Sequence, residues 1–199
     1  MLEMISVVAI SIVVSVVAVM SLTPVIRQYR VANAYNLTLA AMRQARDNAV
    51  SQRTSYSVTF FTQVTPPKNT ITVAPTTTFT NDQNTVVYAL PTDVAFTTTS
   101  PVTGTPTPDG YGTAANPIDF GYTASSTTGG QTVIYFCPDG SAQTASTCAG
   151  AGNWDGGVVY IAHTGDPLST YAISLFGGTG RMRGWRFYQQ GLGFLWMRQ

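Results

Sequence analysis

Charge is scarce in this chain. Only 10% of its 199 residues are Asp, Glu, Lys or Arg, against about a quarter in ordinary soluble domains. The net charge is +1, so there is no global electrostatic pull toward nucleic acid or acidic lipid. Histidine occurs once, as His163, and cysteine twice, as Cys137 and Cys148. A tetrahedral zinc site cannot be assembled from so few nitrogen and sulfur ligands, and no cofactor is expected. Ser-His-Asp, Cys-His and H-E-x-x-H arrangements are missing. Gly177-Gly-Thr-Gly180 is too short and wrongly placed for a dinucleotide fold. An enzyme is therefore not the expectation. Asp155 and Asp166 stay open as acid–base groups or calcium ligands, with loop solvation the simpler role.

Thr, Ser, Gly and Pro take the place of charge, giving an exterior solvated by hydroxyls and backbone. The chain does not read as disordered, because 44% of its residues are hydrophobic and short β-type runs recur. Cys137 and Cys148 sit close together in a Gly- and Ser-rich stretch. A disulfide closing that loop is the expectation, and it implies an oxidising compartment. Two free buried thiols are the alternative.

From Met4 to Leu22 the chain holds only Met, Ile, Val, Ala, Leu and four Ser. As a helix rising 1.5 Å per residue, this run matches the roughly 30 Å hydrocarbon thickness of a bilayer. Glu3 precedes it; Thr23-Pro24, Arg27 and Arg30 follow. A cleaved signal peptide would carry its bases first and a small-residue cleavage site last, the reverse of what stands here. A plain transmembrane anchor remains an alternative. From Val25 to about Arg53 the pattern turns amphipathic, with Tyr35, Leu39, Met42, Ala45 and Ala49 at helical spacing and Arg43 and Asp47 on the solvated side. One helix then does two jobs, and Pro24 is the expected helix break between them.

After Ser55 the sequence reads as β. Runs at 56–60, 71–73, 86–90, 94–96, 132–136, 158–161 and 171–175 are separated by Gly, Pro, Asn and Asp. Residues 181–187 and 194–196 form a closing hairpin across Gly191 and Gly193. Residues 97–117 read as an exposed excursion whose hydroxyls could carry O-linked sugar. The fold class is thus α+β: a long N-terminal helix, its apolar half projecting and its amphipathic half packed on a C-terminal antiparallel β domain. Its parts are residues 1–24 (membrane-inserting), 25–53 (amphipathic half of the same helix) and 54–199 (β-rich head with a disulfide loop near 137–148).

The opening MLEMISVVAISIVVSVVAVM, followed by TPVIRQYRVANAYNLTLAAMRQARDNAVSQRTSYSVTF, resembles the type IV pilin and pseudopilin superfamily. Within it the FimT-like group, which includes the H-type minor pseudopilins of type II secretion, is the nearest. The features are a lone Glu at the start of an apolar helix, a Pro beyond it and an Arg-Gln-Ala-Arg segment leading to Ala-Val. A first strand follows directly, and Gly180-Arg181-Met182-Arg183 lies near the C-terminus. The likeness is strong over residues 1–60, moderate over 170–188 and weak between.

In the family the Glu stands fifth in the mature chain, behind a methylated Phe; here two residues precede Glu3. The resemblance therefore implies a mature start slightly upstream of Met1. The Glu3–Pro24 gap is also about one helical turn longer than in pilins.

The resemblance implies a filament subunit, a homo-polymer with identical subunits. It would be processed by a prepilin peptidase, handled by inner-membrane assembly machinery, and held in the inner membrane before joining an extracellular filament. Adhesion, motility, secretion or DNA uptake would be its use. The alternative is a minor pseudopilin or a DNA-binding minor pilin. A carboxylate at membrane depth costs about 2.5–3.5 kcal/mol, so Glu3 is assigned assembly register, paired with a neighbour's N-terminal amine. Its bland role is a place at headgroup level. In some FimT-like minor pilins the Gly-Arg-x-Arg strand is associated with DNA. That makes Arg181, Arg183, Arg186 and Trp185 the DNA-binding candidates; the alternative is ordinary architecture, with Met182 packed inward and the arginines paired with loop carboxylates or carbonyls. Arg27, Arg30, Arg43 and Arg46 place the residues after the helix in the cytoplasm by the positive-inside rule. The Thr-rich β region with its cysteines places them outside, and the expectation follows that composition.

Overall fold

The computed structural model describes residues 2–62, 69–76, 85–122, 129–148 and 154–199; within the first stretch the side chains at 2, 3, 5, 6, 9, 17–19 and 21 are also outside the description. Helix α1, Leu2–Gln52, has 51 residues and a length of about 75 Å. It is unbroken across Pro24, where a break was expected. The proline removes one backbone donor, and the turns on either side carry the helix through. Left-handed Arg53 (φ 52°) ends it.

Burial divides α1 in two. Every described side chain from Met4 to Arg30 is exposed, whereas Val31, Ala34, Tyr35, Thr38, Leu39, Ala41, Met42, Ala45 and Ala49 are buried. Packing thus begins at Val31, six residues later than the change in sequence pattern at Val25 suggested. The four alanines keep this face narrow, so the helix backbone lies close to the strands below it. In the projecting part Ser11 Oγ donates to the Val7 carbonyl (2.9 Å) and Ser15 Oγ to the Ser11 carbonyl (2.8 Å). These two hydroxyls are satisfied on their own backbone, which leaves the described side chains from Met4 to Leu22 an apolar surface. Among the described residues no helix is long and apolar enough to cross a membrane. The run expected to do so, residues 4–22, includes side chains outside that set.

The strands form two antiparallel sheets. The first contains β1 (Tyr56–Thr62), β2 (Asn69–Pro75), β3 (Val86–Ala89), β6 (Val133–Phe136) and β7 (Ala142–Gln143), in the order β3-β2-β1-β6-β7. The second contains β4 (Val94–Phe96), β5 (Ile118–Tyr122), β8 (Gly156–His163), β9 (Asp166–Phe176), β10 (Arg181–Gln190) and β11 (Gly193–Arg198), in the order β11-β10-β9-β8-β4, with β5 also on β8. The packed half of α1 contacts β1, β2 and β6 of the first sheet and β4, β8 and β9 of the second. It fills the main core with Tyr56, Phe60, Ile71, Phe120, Ile134, Ile161, Ile173 and Leu175. The fold is α+β, one long helix packed on antiparallel sheets.

Strand β8 is buried along nearly its whole length, because the second sheet is covered on both faces. Val159 and Ile161 face the main core; Val158 and Tyr160 face a second one with Val102, Ala114, Ala172 and Phe187. The cover on that side comes from residues 97–117, which corrects the expected exposed excursion. Val102, Pro108 and Ala114 are its buried anchors, and two short 3-10 turns, Val102–Gly104 and Pro108–Gly110, shape it.

Strand β5 was not anticipated. Its Asp119 is only 2% exposed, accepting from Tyr122 Oη (2.7 Å) and the Gly130 amide (2.6 Å). Burial first, then the hydrogen bond and charge of Asp119, push the Tyr122 phenol from an ordinary 10.0 up to about 12. The neutral phenol is the folded-state form, so its contribution is complete below pH 10.0 and is lost as pH rises through about 12. Tyr122→Phe should flatten the stability-against-pH curve in that window and lower stability at neutral pH, where the phenol's hydrogen bond to Asp119 is in place. Parallel curves for the two proteins would refute this assignment.

Candidate functional site

Strand β10 carries the four residues singled out on the C-terminal basic strand, and the β period of two divides them. Met182 packs against the main core, while Trp185 and Phe187 pack against the second. Arg181, Arg183 and Trp185 therefore share the outer face, and Arg186 lies on the face toward α1. The four do not form one surface.

Arg183 is ion-paired: its Nη1 lies 2.7 Å from Asp109 Oδ1. Asp109 also accepts from Ser174 Oγ, which in turn accepts from Trp185 Nε1 at 2.9 Å. This chain ties the 97–117 cover to β9 and β10. The nearby Tyr111 phenol is raised, by burial first and then by the Asp109 carboxylate. Arg183 is largely occupied in holding the head together.

Arg181 is exposed and stands between two adjoining grooves. One, of about 430 Å³, is lined by Asp109, Tyr111, Phe176, Thr179, Arg181 and Arg183. The other, of about 480 Å³, is lined by Arg43, Arg46, Asp47, Thr179, Arg181 and Met182, with Gly180 at its base. Arg46 Nε donates to the Gly140 carbonyl at 3.3 Å, which ties helix to turn; among the described residues Arg46 has no ion pair. The second groove therefore gathers three arginines around one aspartate. The helix pair Arg43 and Arg46 was not a candidate on sequence. Their i, i+3 spacing on a solvated face was the available signal, but their neighbour Arg181 is far along the chain.

Glu3 lies in α1, with its side chain outside the described residues. At the point where α1 leaves the head, Arg30 Nη1 contacts Asp93 Oδ2 at 3.0 Å, and His163 Nε2 approaches the same oxygen at 3.7 Å. The solitary histidine belongs to this helix-to-head tie. Asp155 and Asp166 do not converge: Asp155 is buried and accepts from the Thr144 amide and hydroxyl, and Asp166 accepts from the Leu168 amide. Among the described residues no group of three or more His, Cys, Asp or Glu side chains could hold a metal ion.

Cys137 and Cys148 are joined in a disulfide, with Cα atoms 5.7 Å apart and 11 residues of separation. A loop of that length confers about 3 kcal/mol in the chain-entropy account. Replacing both cysteines by serine should lower head stability by about that amount, read as the urea midpoint times the slope. A double mutant as stable as the parent would show that the loop is held by its other contacts, such as Ser141 to Asp139.

Compared with models of protein families, with curated proteins and with solved structures, the chain matches none.

Proposed function

We propose that the chain is a structural subunit of the type IV pilin kind, polymerising through its N-terminal helix into an extracellular filament. One observation carries the reading: about half of α1 presents an apolar surface that the head does not cover. Val7, Val8, Ile10, Ile12, Val13, Val14, Val16, Leu22, Val25 and Ile26 are all 45% or more exposed. Burying each such side chain is worth about 1.5–3 kcal/mol, so this surface calls for lipid, other helices, or each in turn. A bilayer satisfies it before assembly, and a bundle of identical helices afterwards. Glu3 then sets register between neighbours, as the family resemblance implies. Membership, partners and location are proposed on the sequence likeness and this exposed helix together.

The direct test is to image surface filaments from cells that make the protein and to identify the dominant subunit by mass spectrometry. The chain is expected in the filament. Its recovery only as a free, unassembled protein would count against the reading.

A second reading, DNA capture along the filament, is favoured by the three arginines that share one groove. Each phosphate contact adds about 0.9 to the log–log salt slope of binding. Arg43→Ala with Arg181→Ala should therefore flatten the slope by about 2, whereas Arg183→Ala, already neutralised by Asp109, should change it less. An unchanged slope in the double mutant would leave the groove without this role.

A further inference from the structure

On the other face of β10, Arg186 has no ion-pair partner among the described residues. Its guanidinium carbon lies 5.5 Å from the Tyr171 ring centroid and 4.9 Å from that of Tyr188. Its Nε is buried with no hydrogen-bond partner. The two rings fix the cation over aromatic faces. Arg186 closes a shallow groove of about 230 Å³ whose other walls are Val25, Gln28, Tyr29, Ala32 and Tyr171. No carboxylate lines it. Of the acids at this end of the head, Asp93 is engaged by Arg30, and Asp166, opposite His163 at the β8–β9 turn, accepts from the Leu168 amide.

The groove also sits at a telling height. From Leu22, the end of the uncharged run, to Tyr29 the helix rises about 10 Å. The headgroup layer beyond the hydrocarbon is roughly 5–8 Å thick on each side. If Leu22 lies at the hydrocarbon boundary, Val25 at the lower wall of the groove lies within that layer. The 72% exposed Tyr29, across the groove from Arg186 and Tyr171, lies just above it, where a long arginine side chain reaches down to phosphate. Tyrosines with arginines are the side chains that settle at that level. We propose that this groove is a docking surface for lipid headgroup phosphate, which seats the head on the membrane before assembly. It rests on the reading of the apolar helix as membrane-inserted. Continuity with that helix and the positive charge of Arg186 favour the bilayer surface over a protein partner.

The test uses the full chain, labelled at arginine Cζ, in bilayers of phosphatidylethanolamine and phosphatidylglycerol. Carbon–phosphorus dephasing by solid-state NMR reports which arginines lie against lipid phosphate, and alkaline carbonate extraction reports insertion. Wild-type protein should resist extraction and show dephased arginine signal, and Arg186→Gln should lose part of that signal while still resisting extraction. Gln28→Glu, an exposed change that does not threaten folding, should weaken the same component by placing a carboxylate in the groove. Undiminished dephasing in both variants, with the helix inserted, would overturn the docking surface and leave the membrane reading intact. Extraction of the wild-type chain would overturn both.

Discussion

Deleting residues 1–24 leaves a folded, monomeric head that makes no filaments. The expectation follows from where the helix is used. The buried core draws on α1 from Val31 onward, and on no described side chain before it. The Arg30–Asp93 contact also survives the cut. Removing a segment whose described side chains are all exposed should alter the head's stability by no more than about 0.5 kcal/mol. Loss of assembly should be complete, because the missing segment carries eight of the ten exposed apolar side chains of the proposed interface, all but Val25 and Ile26. Sedimentation and thermal unfolding check the two halves separately. A truncated chain that still forms filaments of normal width would mean that the heads polymerise by themselves.

A large single-residue effect inside the head is expected at Gly157. A Cβ there would meet the Asp119 carbonyl oxygen and lie 2.6 Å from Phe120 Cα. Both belong to β5, which pairs with β8 at this point. Backbone of a paired strand cannot turn aside as the tip of a side chain can. Gly157→Ala should force β5 away and cost about 3 kcal/mol, near the top of the usual range for overpacking. Gly104 provides the control, since its Cβ would meet nothing within 4 Å. Gly104→Ala should fall within about 0.5 kcal/mol of the parent. Equal urea midpoints for the two variants would show that β5 yields freely.

Much of this architecture is legible in the sequence because its determinants are local. Alternation in Tyr56-Ser-Val-Thr-Phe60 and the unbroken Val158-Val-Tyr-Ile161 mark strands β1 and β8, and the Gly191/Gly193 turn marks the closing hairpin. Helical spacing from Tyr35 to Ala49 marks the packed face of α1. What was missed depends on tertiary context. In β5, Ile118-Asp-Phe-Gly-Tyr122 hides a strand behind two residues disfavoured there; Asp119 is tolerated because Tyr122 and the Gly130 amide satisfy it. Residues 97–117 have the composition of a loop, yet Val102, Pro108 and Ala114 anchor them over β8 and Asp109 ties them to Ser174 and Arg183. The basic strand was grouped by nearness in sequence, although strand parity alone separates Arg186 from Arg181 and Arg183. Parity is a rule the sequence already carried. The arrival of Arg43 and Arg46 beside Arg181 was not in it, because only the packing of helix on sheet creates that groove.

The measurement that bears most directly on the central claim is an electron cryomicroscopy reconstruction of filaments formed by the full-length chain. The account predicts bundled helices along the axis, with residues 4–22 of each subunit covered by the same segment of its neighbours. The two-sheet heads should form the outer layer, and the face of β8 covered by residues 97–117 should take no part in the contacts. A reconstruction whose continuous contacts run through the heads, with residues 4–22 outside the core, would contradict it.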